Sequence, residues 1–190
     1  ALMVVPSPEA ALKLLALAQD HLGQGLSAFE IMHRMGLDFL AEKMPEVRQP
    51  FAEKPEWMVL IDIGLGRGPD PQELLEALFA DAFEQGLVSD GLIAQSEGQR
   101  QDFWTVRETI PEANRLIGAI SSHDISMPAG AIPEFIARGP GLLGQINDYR
   151  INCFGHLGDG NLHYNVFPVP GRTRADHEQE RGAIKRTVHD

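Results

Sequence analysis

A chain of 190 residues, 43% hydrophobic, 23% charged and carrying a formal net charge of -11, has the make-up of a soluble-type globular domain long enough to bury a real core. The acidic balance excludes non-specific binding to nucleic acid or to anionic membranes, which needs a basic face. No apolar run approaches the roughly 20 residues of a membrane span, and the single cysteine, Cys153, allows no internal disulfide and suits a reducing compartment, the cytoplasm.

Ala1-Leu-Met-Val-Val reads as a strand already in progress, with no secretory signal. Ser7 then caps a helix with Pro8 at its first position, and Leu12, Leu15 and Leu22 form its apolar stripe up to Gly23. Leu26–Ile31 reads as a return strand, and 35–44 as a second helix closed by Pro45. Residues 49–56 form a loop, and Trp57–Ile63, nearly all apolar, form a central strand.

Gly64-Leu-Gly66-Arg-Gly68 follows that strand like a phosphate-binding turn. Asp70 with Glu73 reads as a capping box on the next helix, however, and a carboxylate there fills the place a phosphate would need. That helix should end at Gly86, with a short strand over 92–95 after it. Two successive strand–helix–strand units imply an α+β fold. It is a ferredoxin-like antiparallel sheet with helices mainly on one face, followed by a further strand–helix–hairpin extension.

Ser96 and Gln99 open a long helix through Arg107, with a kink expected at Pro111, which leaves the carbonyl of Arg107 without a donor. Arg107 and Asn114 fall on the apolar stripe of Phe103, Val106, Ile110 and Ile117. An inward arginine needs a partner: a buried ion pair, stacking on Trp104, or the carboxylate of a substrate. Ser122–Met127 reads as a strand ended by Pro128. Residues 132–143 read as a helix broken by Pro140-Gly141. At the other end, Thr173 with Asp176 should cap a helix running to His189-Asp190 with no terminator. Both ends therefore read as cut from something longer.

The chemistry concentrates between Arg150 and Phe167, where two strand-like runs flank Gly158-Asp159-Gly160. Strand alternation puts Asn161, His163 and Asn165 on one face, joined by Arg150, Asn152 and His156 from the first run. That is too polar for a core face. Two imidazoles at a glycine turn can hold a divalent ion, which normally takes a third protein ligand as well. Asp124 is a candidate carboxylate for a hydrolytic metal centre complete within the chain. Structural histidines in a non-catalytic ferredoxin-like binding module are the alternative.

The segments Gly155–Val166, Phe103–Ile110 and Ser122–Pro128, in that spacing and with Ser27-Ala-Phe-Glu30 and Ala94-Gln-Ser96, resemble the C-terminal domain of FAD-linked oxidases. These belong to the vanillyl-alcohol oxidase superfamily and include D-2-hydroxyglutarate and D-lactate dehydrogenases and glycolate oxidase subunits. The resemblance spans essentially residues 4–190. It implies that residues 1–190 are a substrate or cap domain, that FAD is bound by an N-terminal domain outside this chain, and that the substrate is a small 2-hydroxy acid. It further implies that His156 and His163 ligate zinc or manganese, with a glutamate beyond Asp190 as third ligand and the catalytic base beyond Asp190 as well. Arg107 and Asn165 are implied to bind substrate. Where the 2-hydroxyglutarate enzymes carry a threonine and a lysine, this chain has Pro111 and Ser122, which weakens the case for a dicarboxylate. Electron acceptor and oligomeric state, including a homo-oligomer, stay open.

Overall fold

A computed structural model describes residues 1–64 and 70–190. The chain runs β1 (Leu2–Val5), α1 (Pro8–Leu22), β2 (Leu26–His33), α2 (Arg34–Lys43), β3 (Trp57–Ile63), α3 (Pro71–Glu84) and β4 (Asp90–Leu92). It continues through α4 (Glu97–Ile117), β5 (Ser121–Ser126), α5 (Ile132–Leu143), β6 (Tyr149–His156), β7 (Asn161–Pro168) and α6 (Arg181–His189). The strands form one antiparallel sheet in the order β4-β1-β3-β2-β6-β7-β5.

The first four strands keep the ferredoxin-like order, and the hairpin β6–β7 extends the sheet from the free edge of β2. There Glu30 pairs with His156, Ile31 with Gly155 and Met32 with Phe154. The α+β class inferred from the sequence is the class observed. Four helices, α1, α3, α5 and α6, cover one face over Met3, Ile31, Val59 and Tyr164. The other face is covered too: α2 and α4 bring Leu37, Phe39, Leu40, Val106, Ile110 and Ala113 onto Leu2, Met32, Met58, Phe154 and Phe167. Each fully buried side chain of this size contributes about 1.5–3 kcal/mol.

Local signals hold where a cap decides them. Ser7 accepts the N–H of Ala10, and Gly23 ends α1 with φ 52. Three expectations need correction. The strand after α3 is Asp90–Leu92 rather than 92–95, because backbone pairing with Leu2–Val4 sets its register. Asp70 caps α3 through the N–H of Gln72, with no reciprocal bond from Glu73 recorded. Pro140 does not break its helix, and α5 runs on to Leu143; α4 passes Pro111 and reaches Ile117, the last residue of its expected stripe. Each proline removes one N–H, and the packing of the apolar stripes on the sheet outweighs that loss.

The last helix is also shorter than expected. Thr173 and Asp176 do form a capping box, but on a 3-10 turn at Arg174–His177, and α6 begins only at Arg181. Between them Glu180 accepts from Asn147 Nδ2 (2.9 Å), His177 Nδ1 (2.8 Å) and the hydroxyl of Tyr149. These bonds, the tyrosine's foremost, hold its carboxyl at about 2 and fasten the C-terminal segment to β6. The glycine turn after β3 lies largely outside the described residues.

On the face away from α2 and α4, His123 of β5 is 5% exposed, with Nδ1 3.1 Å from His189 Nε2. Burial first, then the nearby His189 and Lys185, depress its pKa to about 4. The unfolded chain, titrating near 6.5, takes up that proton earlier, so folding stability is full above about pH 6.5 and falls as pH drops toward 4. At about 1.4 kcal/mol per tenfold change in proton affinity, the loss is at most about 3 kcal/mol. His123→Phe should flatten this part of the pH dependence, measured by urea unfolding at pH 7 and pH 4.5.

Candidate functional site

The pleat gathers the polar residues on the face under α4. Across β5–β7–β6, Asp124 opposes His163 and Ser122 opposes Asn165; His163 in turn opposes Phe154, and Asn165 opposes Asn152. His156, at the end of β6, pairs instead with Glu30 of β2. The rings of His156 and His163 stand on the same side of the sheet, edge to face, with centroids 5.9 Å apart.

Glu30 is the residue that holds this arrangement together. It is 3% exposed and sits in an otherwise apolar stretch between Phe29 and Ile31. Arg107, reaching down from α4 and 6% exposed, donates from Nε to Oε2 of Glu30 at 2.9 Å, with Nη2 in ion-pair contact 2.8 Å from the same oxygen. His156 donates from Nδ1 to Oε1 at 2.6 Å. Of the partners open to Arg107 from sequence, the buried ion pair is the one formed within the chain. Its guanidinium also lies 4.7 Å over the ring of Phe154, not on Trp104. Glu30 was assigned no role from sequence. The signal was present nonetheless: a lone carboxylate on the apolar side of a strand must find a donor.

The remaining side chains divide between site and scaffold. Arg150 shares the face but belongs to the scaffold. It donates to the carbonyl of Pro168 and to Glu42, and lies over the Phe39 ring at 4.9 Å. Asn152 is buried and donates to Asn114 Oδ1 at 2.9 Å, which accounts for the polar position on the stripe of α4. Asn165, also buried, makes no side-chain hydrogen bond to another described residue. Asp124 accepts from Asn161 Nδ2 at 2.8 Å, and its oxygen lies 3.6 Å from His163 Nδ1, beyond hydrogen-bond range. Asp159, in the turn, is exposed.

The two histidines differ in surroundings. His163 is partly covered and packs on Phe154 at 5.0 Å. Burial pushes its pKa below the usual imidazole range; Arg107 and His156 add to that, and Asp124 opposes it. A neutral imidazole, the form that can ligate a metal or accept a proton, is thereby favoured at neutral pH. His156 has a side chain 47% exposed, with Nδ1 committed to Glu30 and Nε2 left outside that bond. A carboxylate on the far nitrogen is the usual backing of a metal-ligating imidazole, so this pair fits a divalent ion through two nitrogen ligands. Among the described residues no group of three or more His, Cys, Asp or Glu side chains is placed to hold a metal. Asp124 does not complete such a set, and a metal centre finished within the described residues finds no support.

Fold and site together define the class: an α+β domain that presents an imidazole pair, a buried carboxylate and an arginine on one face of an extended ferredoxin-like sheet. The chain belongs to the family "FAD linked oxidases, C-terminal domain", whose profile matches residues 1–187. It is 38% identical over 154 residues to a mitochondrial D-2-hydroxyglutarate dehydrogenase of Arabidopsis thaliana, covering 81% of this chain and 27% of that protein. It is 35% identical over 181 residues to a D-2-hydroxyglutarate dehydrogenase of Xanthomonas citri pv. viticola, covering 90% and 38%. A putative mitochondrial D-lactate dehydrogenase of Schizosaccharomyces pombe is 30% identical over 172 residues, covering 85% and 32%. The chain thus spans well under half the length of the curated relatives it matches. No helix among the described residues is long and apolar enough to cross a membrane.

The hairpin depends on a close backbone approach at Gly155. A Cβ there would meet the carbonyl oxygen of Asn161 and come within 2.9 Å of Leu162 Cα, both backbone atoms that cannot turn aside. Gly155→Ala should therefore destabilise the domain by about 1–3 kcal/mol and loosen β6 from β7 beside both histidines. Thermal unfolding and amide exchange across 151–167 would show it.

Proposed function

We propose that this domain is the substrate- and metal-binding part of an FAD-dependent 2-hydroxyacid dehydrogenase, orienting a D-2-hydroxy acid for oxidation to the 2-oxo acid. The observation that carries the reading is the convergence of His156, His163, Arg107 and Asn165 on one face of a chain that belongs to an FAD-linked family. FAD, bound mainly outside this chain, supplies the acceptor for the electrons and the α-hydrogen. His156 through Nε2 and His163 would hold the divalent metal, zinc or manganese, which when bound polarises an oxygen and lowers the pKa of a hydroxyl.

The chain's own residues account for the rest. Arg107 fixes the substrate carboxylate and sets the reacting carbon in place. Because Nε and Nη2 are engaged by Glu30, the carboxylate is met from the Nη1 side, with the guanidinium plane held by Phe154. Asn165, free of protein partners among the described residues, supplies a further polar contact. Burial of Glu30 and Arg107 under α4 keeps water from competing for the pair. Ser122, exposed and opposite Asn165, puts no cation at the far end of the substrate, and Pro111 adds no hydroxyl. That favours a 2-hydroxy monocarboxylate over a dicarboxylate. A single buried thiol, Cys153, fits a reducing compartment such as the cytoplasm. No observation favours a non-catalytic binding module.

The test is His163→Ala in the flavin-loaded enzyme that contains this domain. Fold and flavin content should stay intact while turnover with a dye acceptor falls by more than about 100-fold, above what losing an outer partner of a metal ligand costs. Chelation of the unmodified enzyme should have the same effect, reversed by added zinc or manganese. Unchanged turnover in both would remove the metal from the reading. Since the imidazoles must be neutral to bind metal, affinity should fall on the acid side, with the contribution of His163 setting in only below about pH 6.5.

A further inference from the structure

We propose that Glu30 is a positioning residue that sets the tautomer of His156 and ties that ring to Arg107 through one buried carboxylate. Where it concerns the metal, this rests on the function proposed above; the tautomer itself does not. The division of the carboxylate is the evidence. Oε2 accepts from Arg107 Nε at 2.9 Å, with Nη2 2.8 Å away in ion-pair contact, and Oε1 takes His156 Nδ1 at 2.6 Å. Neutralising the arginine would use only the first oxygen. The second reaches a ring on a different strand, 126 positions along the chain.

The donor and acceptor inventory makes the consequence definite. Arginine offers N–H groups only, and an ionised carboxylate only acceptors. His156 must therefore donate from Nδ1, which leaves the lone pair on Nε2, the side not held by Glu30. The ring that would ligate the metal and the guanidinium that would grip the substrate are thus held to one another across a carboxylate that is 3% exposed. A displacement of either is transmitted to the other.

Glu30→Gln tests this because it keeps the shape and leaves one acceptor where there were two. The donors of Arg107 capture the amide oxygen, the amide N–H turns to His156 Nδ1, and the ring proton must move to Nε2. In the flavin-loaded enzyme labelled with 15N-histidine, His156 should be protonated at Nδ1 before the substitution and at Nε2 after it, at a pH where the imidazoles are neutral. Zinc affinity, titrated with the metal alone, should fall about 10–100-fold. Adding Arg107→Met frees the amide to turn its oxygen back to the ring. The double variant should recover the Nδ1-protonated form and zinc affinity within about tenfold of the parent, while KM for the hydroxy acid stays high. A merely structural glutamate would show no such recovery.

The same tautomer before and after Glu30→Gln would overturn the proposal, as would no recovery in the double variant. If Glu30→Gln fails to fold because Arg107 is left charged and unpaired, Arg107→Met with Glu30→Gln is compared against Arg107→Met with Glu30→Leu. Leucine cannot accept from His156, so the second should bind zinc about 10–100-fold more weakly than the first; equal affinities overturn the proposal. If the parent takes up no zinc, the metal reading fails, and the tautomer comparison alone decides the role of Glu30.

Discussion

A carboxylate buried in an apolar strand is the constraint from which this site follows. Desolvating an ionised side chain costs several kcal/mol unless donors replace the lost water. Glu30 meets that requirement with Arg107 on one oxygen and His156 on the other. Those two residues come from a helix and a strand that have no local reason to be near β2. Once the carboxylate is in place, the guanidinium has a fixed plane against Phe154, and one imidazole has a fixed tautomer and direction.

The fold supplies the surroundings that make this arrangement possible. A ferredoxin-like sheet ends at β2, and an open edge strand is a liability that must be paired or covered. Here the hairpin β6–β7 pairs it, and in doing so sets His156 opposite Glu30. The antiparallel ladder then carries alternation outward, so that His163, Asn165, Asp124 and Ser122 all present the same face. On that face α4 and α2 exclude water from the inner end, where Asn152 donates to Asn114. The outer end, with His156 exposed, is left accessible. The gradient from dry to wet along one strand suits the substrate-binding role proposed above.

The division also explains which polar residues belong to the site. Arg150 and His163 look equivalent on a strand diagram, since both point to the α4 face. Arg150 sits at the far end of the hairpin, where Glu42, Pro168 and Phe39 engage its head. The histidine pair sits at the near end, beside the turn and the edge of β2. Position along the strand, not only the face, separates scaffold from site.

How much of this was legible in the sequence depended on the range of the interaction. The helix caps, the strand alternation that puts both histidines on one face and the α+β order of elements all arise within a few residues, and all were readable. The proline at 140 was over-read, because a local rule about one missing N–H was set against tertiary packing it could not see. By itself the sequence determined the polar face of the hairpin and the need of Arg107 for a partner. Only the tertiary structure decided that the partner is Glu30, 77 positions away, and that the same carboxylate reaches His156. The reason is physical: strand register between distant segments is set by which sheet edge is free and which faces must be buried, and no local pattern encodes that choice.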